Sequence, residues 1–137
     1  MSGRYATLYR QSREALEIEA EARLGRALTP RERNLFRNCG TLTMLESLGM
    51  KIFYAESAEE LDAQLAGISM DARFNLAVEE LIVRLEQALG RSLTAVEQQQ
   101  MHALGNIEEL WTLEQQFHDA PPAEREATLQ MLLASRQ

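Results

Sequence analysis

Slid by 65 residues, the sequence falls on itself. Leu24-Gly-Arg-Ala-Leu-Thr-Pro-Arg-Glu32 meets Leu89-Gly-Arg-Ser-Leu-Thr-Ala-Val-Glu97 without a gap. Across residues 14–48 and 79–113, twelve of 35 positions are identical, the others being Glu14/Glu79, Leu16/Leu81, Glu21/Glu86, Gly40/Gly105, Leu45/Leu110 and Leu48/Leu113. A chain that recurs on such a period is expected to build one supersecondary unit twice. Alone, a unit of this size hides only about 60% of the surface its unfolded chain exposes, a marginal core. The expectation is therefore two repeats, 1–68 and 69–137, packed into one compact body.

Each repeat reads as three helices. No run of alternating β-branched residues is present, and apolar residues recur at helical spacing. Tyr5, Leu8, Tyr9, Leu16, Ala20 and Leu24 line a first helix over 4–24, which Gly25 ends as a C′ residue. Thr29-Pro-Arg-Glu32 supplies a cap, a proline at the first helical position and a capping-box glutamate, opening a second helix over 30–48. That helix carries Leu35, Cys39, Leu42 and Leu45 inward, and residues 51–55 form a short apolar connector. Ser57-Ala-Glu-Glu60 opens a third helix over 58–67. In the second repeat, Ser69 caps a helix over 70–89 and Gly90 repeats Gly25. Thr94-Ala-Val-Glu97 then opens a helix over 95–117, and Pro121-Pro122 precedes a last one over 122–135. The third helices begin in register, Ala58-Glu59 over Ala123-Glu124, and then require a small insertion. The fold class is thus all-α, six helices as a tandem duplication of a three-helix unit.

Charge narrows the function classes. The chain has 14 basic and 21 acidic residues, a net of −7, and thirteen of the basic residues are Arg. Residues 1–51 carry a net +3 and residues 52–137 a net −10. An acidic chain is a poor general binder of nucleic acid, whose grip rests on neutralising phosphates. No apolar run approaches the length needed to cross a bilayer, and the first residues lack the apolar core of a secretory signal. The single cysteine, Cys39, forms no intrachain disulfide and no cysteine-based zinc site. A cytoplasmic protein is expected.

Leu28-Thr-Pro-Arg-Glu-Arg33 resembles the opening of the LuxR-type helix-turn-helix domain. The resemblance covers six residues, implies a DNA-binding role, and does not extend into Asn34-Leu-Phe-Arg-Asn-Cys-Gly-Thr, where no recognition-helix pattern follows. The corresponding stretch of the second repeat keeps only the capping residues, which helix initiation explains.

No residues for catalysis are visible. Glu59-Glu60, Glu79-Glu80 and Glu108-Glu109 are adjacent pairs that diverge by about 100° around a helix, so neither partner faces the other. His102 and His118 share no helix face, and Glu114 with His118 makes a local i,i+4 pair rather than a metal set. There is no glycine-rich phosphate loop or nucleophile elbow. No enzyme activity, cofactor or metal is expected. What remains is surface. Arg33 and Arg37 lie four residues apart, with Gly40, Thr41 and Met44 on the same side of the expected helix, and Arg and exposed Met are enriched at interfaces. Arg33, Arg37, Met44, Glu59 and Glu60 are the candidate partner-binding residues. The expectation is a non-catalytic protein–protein interaction module. By size and charge alone it is similar to small phage-borne inhibitors of nucleic-acid-handling complexes, the anti-CRISPR class. The alternative is a transcriptional regulator placing the Arg-rich first repeat on DNA.

Overall fold

The computed structural model describes residues 3–135, and among these every regular element is helical. There are eight α-helices and one 3-10 turn: α1 (Gly3–Leu24), α2 (Pro30–Arg37), α3 (Leu42–Tyr54), α4 (Ala58–Ala66), α5 (Asp71–Leu89), α6 (Ala95–His102), α7 (Ile107–Asp119), the turn Pro122–Glu124 and α8 (Arg125–Ala134). The expected six helices become eight because the second helix of each half is two helices. α2 ends at Arg37, Gly40 takes φ +79, and Thr41 caps α3 by accepting the Met44 N–H at 3.1 Å. The same break occurs 65 residues later: α6 ends at His102, Gly105 takes φ +89, and Asn106 accepts the Glu109 N–H at 3.0 Å. A left-handed glycine followed at once by a capping side chain stops one helix and starts another. The apolar series Leu35, Cys39, Leu42 and Leu45 runs across the break without interruption, which is why periodicity alone does not reveal it. The expected connector at residues 51–55 is instead mostly the last turn of α3.

The remaining punctuation matches the sequence closely. Gly25 and Gly90 both adopt φ +72. Thr29 and Thr94 each form a complete capping box, with Glu32 and Glu97 respectively. Ser57 caps α4 by accepting the Glu60 N–H, but Glu60 returns to the Glu56 N–H rather than completing a box. Ser69 accepts from the Asp71 N–H at 3.4 Å. The expected last helix over 122–135 opens with a 3-10 turn, Pro122–Glu124, so Ala123-Glu124 precedes α8 where Ala58-Glu59 opens α4.

The chain divides into two compact units, one up to Arg73 and one from Phe74, so the dividing point falls within α5. In the first unit, α1 and α3 touch in the same order along both helices. The Tyr5 hydroxyl accepts the Leu42 N–H, Leu16 lies against Gly49, and Arg23 lies over the Phe53 ring. A side chain at Gly49 would begin 3.1 Å from Leu16 Cδ2, so glycine permits the close approach. The buried Tyr9 hydroxyl donates to the Phe36 carbonyl and accepts the Gly40 N–H, tying α1 to the turn between α2 and α3. Leu35, Phe36, Leu45, Leu48, Ile52, Leu61 and Leu65 complete this core. Arg31 on α2 donates to the carbonyls of Leu65, Ala66 and Ile68, holding the C-terminal end of α4, where a cation suits the helix dipole. In the second unit, Phe74, Val78, Leu81, Leu85, Met101, Leu110, Leu113, Phe117, Leu129 and Leu133 form one continuous apolar cluster.

Candidate functional site

Several residues that are identical across the 65-residue offset do structural work. Glu21 accepts the Leu28 N–H at 2.9 Å and Glu86 accepts the Leu93 N–H at 2.7 Å, each securing the loop before a capping box. Arg26 grips Glu32 through two hydrogen bonds of 2.8 and 2.9 Å and also reaches Asp62 at 2.6 Å. Arg91 repeats this on Glu97 at 2.9 and 2.8 Å and reaches Glu126 at 2.8 Å. The paired guanidinium, together with the bonded Thr backbone N–H, draws the carboxyls of Glu32 and Glu97 down to about 2. An open cleft of about 560 Å³ beside Arg91 is lined by Thr94, Val96, Glu97, Glu126 and Gln130. Its charged groups are engaged with one another.

Where the two units differ on equivalent faces, the first presents chemistry that the second does not. On α3, Met50, Phe53 and Tyr54 stand on one side at 59%, 52% and 75% exposure. The positions 65 residues later are Gln115, His118 and Asp119, all polar and exposed. Arg23, held by Glu19 at 2.9 Å, covers the Phe53 ring at 5.2 Å from its centre and stiffens that end of the patch. A second difference is internal to the α1–α2 contact. Arg13 and Glu17, both buried, pair at 2.8 Å, and Arg37 Nε approaches the same carboxylate at 4.0 Å. The equivalent second-unit residues are Val78, Ile82 and His102, of which Val78 and Ile82 belong to the apolar core.

The proposed partner-binding residues lie on three helices. Arg33 and Arg37 are on α2, whereas Met44 is in the first turn of α3, beyond the break at Gly40. Arg33 is exposed, Arg37 half-buried against Glu17, and Met44 half-buried. Glu59 and Glu60 are exposed in the first turn of α4, where carboxylates suit the helix dipole, and Glu60 is occupied by the Glu56 N–H and Gln64. They belong to the first unit rather than the second. With the acids of α4 included, the first unit carries ten basic and eleven acidic residues and the second four and ten. The sharp split at residue 51 is therefore not a split between units. Much of the arginine excess is also spent inside the fold: Arg13, Arg23 and Arg26 pair with carboxylates, while Arg31 and Arg73 bond main-chain carbonyls.

Among the described residues no group of three His, Cys, Asp or Glu side chains is placed to hold a metal. Glu114 lies 3.8 Å from His118, but its closer partner is Arg84 at 2.7 Å, a cross-helix pair that the sequence spacing did not reveal. Cys39 is buried, and desolvation pushes its thiol up to about 11, away from nucleophilic use. Among the described residues no helix is long and apolar enough to cross a membrane. No family model, curated protein or solved structure matches the chain.

Proposed function

We propose that this chain is a non-catalytic protein–protein interaction module, built by tandem duplication, whose first unit docks a partner through the exposed side of α3. One observation carries the reading. Met50, Phe53 and Tyr54 occupy a helix face that the second unit fills with Gln115, His118 and Asp119. The shared fold has no need of apolar residues there, and a cluster of aromatic and Met side chains is the usual composition of a contact core. The acidic second unit suits a partner with a basic groove, as nucleic-acid-handling complexes present, and would speed the encounter with it. Inhibition of such a complex by this chain follows as the biological form of the proposal.

The break at Gly40 gives the second reading its support. Two helices joined by a short glycine-containing turn are the form of a helix-turn-helix, as the six-residue LuxR resemblance implies. Against it, the exposed side of α3 offers Thr43, Glu46, Ser47, Met50, Lys51 and Tyr54, with a single cation, where a groove-reading helix needs several. The same turn recurs at Gly105 before the acidic α7. The test replaces Met50, Phe53 and Tyr54 by the second unit's residues, M50Q/F53H/Y54D. Affinity capture from the native host should lose its partner with this variant while the helical spectrum and thermal midpoint hold. Salt-sensitive binding of duplex DNA by the unmodified chain, lost on R33E/R37E with no protein captured, would establish the regulator instead.

A further inference from the structure

The arginine that spans two helices in the first unit has no successor in the second. Arg31 on α2 crosses to the end of α4 and donates to the carbonyls of Leu65, Ala66 and Ile68 at 3.2, 3.3 and 2.6 Å. The residue 65 positions later is Val96, 62% exposed in the first turn of α6. Val96 stands in the wall of the open cleft beside Arg91, which α6 and α8 both line. A second wall residue changes with it: the buried Leu35 of the first unit corresponds to the half-buried Gln100. The cleft has acceptor oxygens to spare. Arg91 bonds Glu126 through Oε1 alone, at 2.8 Å, and Oε2 has no donor among the described residues. Gln130 donates Nε2 to Glu97 at 2.5 Å, which leaves its own Oε1 open. The Gln100 side chain makes no hydrogen bond among the described residues. Charge differs in the same sense. The first unit sets Arg26 and Arg31 beside Glu32 and Asp62, whereas Arg91 alone is ion-paired with Glu97 and Glu126 among the described residues.

We propose that this cleft is a seat for one arginine guanidinium from a basic segment of a partner protein, taking the part that Arg31 plays in the first unit. A guanidinium carries five N–H donors in a fixed fork and serves several oxygens at once, where an ammonium is a compact point charge. Val96 gives the hydrocarbon stem of the incoming side chain an apolar surface to lie on. The inference rests on the function proposed above only in that the acidic second unit faces a basic partner. It uses α6 and α8, whereas the apolar patch is on α3, so the two fail separately.

The test follows the side-chain amide signals of Gln100 and Gln130 in the full chain by NMR. N-acetylarginine methylamide and, separately, its lysine counterpart are titrated in at constant ionic strength. The arginine probe should move both signals saturably while Gln11, exposed on α1, stays still as a reference. The lysine probe should bind more weakly. V96R places a guanidinium on the chain itself and should abolish the response, whereas V96A should keep it. E126Q should weaken binding about fivefold, the upper range for an exposed ion pair. M50Q/F53H/Y54D should bind the probe unchanged, which separates this seat from the docking face of α3. Absence of a saturable shift, equal movement of all glutamine signals, an equal response to the lysine probe, or undiminished binding by V96R would overturn the seat.

Discussion

Glu32 and Glu97 show how one side chain can hold a local fold. Each closes a capping box, takes both arms of an arginine and is buried while doing so. Their carboxyls sit at about 2 against an ordinary 4.5, so the stabilisation they add is fully present above about pH 4.5 and disappears as the pH falls through 2. E32Q/E97Q keeps a side chain fit for the capping box but removes the charge that the arginine holds, so it should lower stability to urea at pH 7 by about 1.5–3 kcal/mol per site, the range of a hydrogen bond to a charged group, and the gap from the unmodified chain should close near pH 2. A gap that persists unchanged in acid would mean the carboxylates contribute nothing as anions. The Arg13–Glu17–Arg37 group predicts the opposite sign. Installing the second unit's residues together, R13V/E17I/R37H, should be neutral or stabilising by about 1–4 kcal/mol, while E17I alone should destabilise, because it removes the carboxylate that Arg13 bonds at 2.8 Å and Arg37 faces at 4.0 Å. Equilibrium denaturation of the two variants checks both. None of this pairing was legible in the sequence beyond the capping boxes. Arg26 with Asp62 and Arg84 with Glu114 join residues 36 and 30 positions apart, and only the folded chain brings them together.

The helices themselves were largely legible, because their ends are written in local chemistry. Thr29, Thr94, Ser57 and the two glycines at 25 and 90 each mark a boundary where expected. The misread boundaries are the ones that the apolar pattern conceals. Between Arg37 and Leu42 the chain leaves helical geometry for four residues, yet Cys39 stays fully buried and the hydrophobic series appears continuous. The signal was present as Gly40-Thr41 and Gly105-Asn106, a left-handed glycine followed by a capping residue, and Gly40/Gly105 is one of the twelve identities. Splitting that helix also dispersed the expected Arg33–Arg37–Met44 face, which depended on one unbroken helix. G40A and G105A should each cost about 1–2 kcal/mol, since an L-residue resists positive φ. Chemical denaturation that finds either substitution neutral would show that the chain there is free to continue as one helix.

At the scale of the whole chain, helix bounds recur along the sequence with different exposed side chains. Offsets of 65 residues relate α2 to α6 and α3 to α7 end for end, and most of the identical residues are capping, pairing, turn or core residues, the exposed Glu14 and Glu79 excepted. Function is then to be sought where the units disagree, and a single sequence can show this because the second unit serves as the control for the first. The sequence reading singled out Arg33, Arg37 and Met44 in the first half. It passed over Phe53 and Tyr54, because residues 51–55 resembled a connector, and a connector presents no face. The most direct measurement places a photo-crosslinking amino acid at position 54 or, in a separate variant, at position 119, and irradiates each chain in the native host. The proposed docking face predicts a discrete crosslinked partner from position 54 and none from position 119. Equal crosslinking from both positions, or a partner reached only from 119, would contradict it.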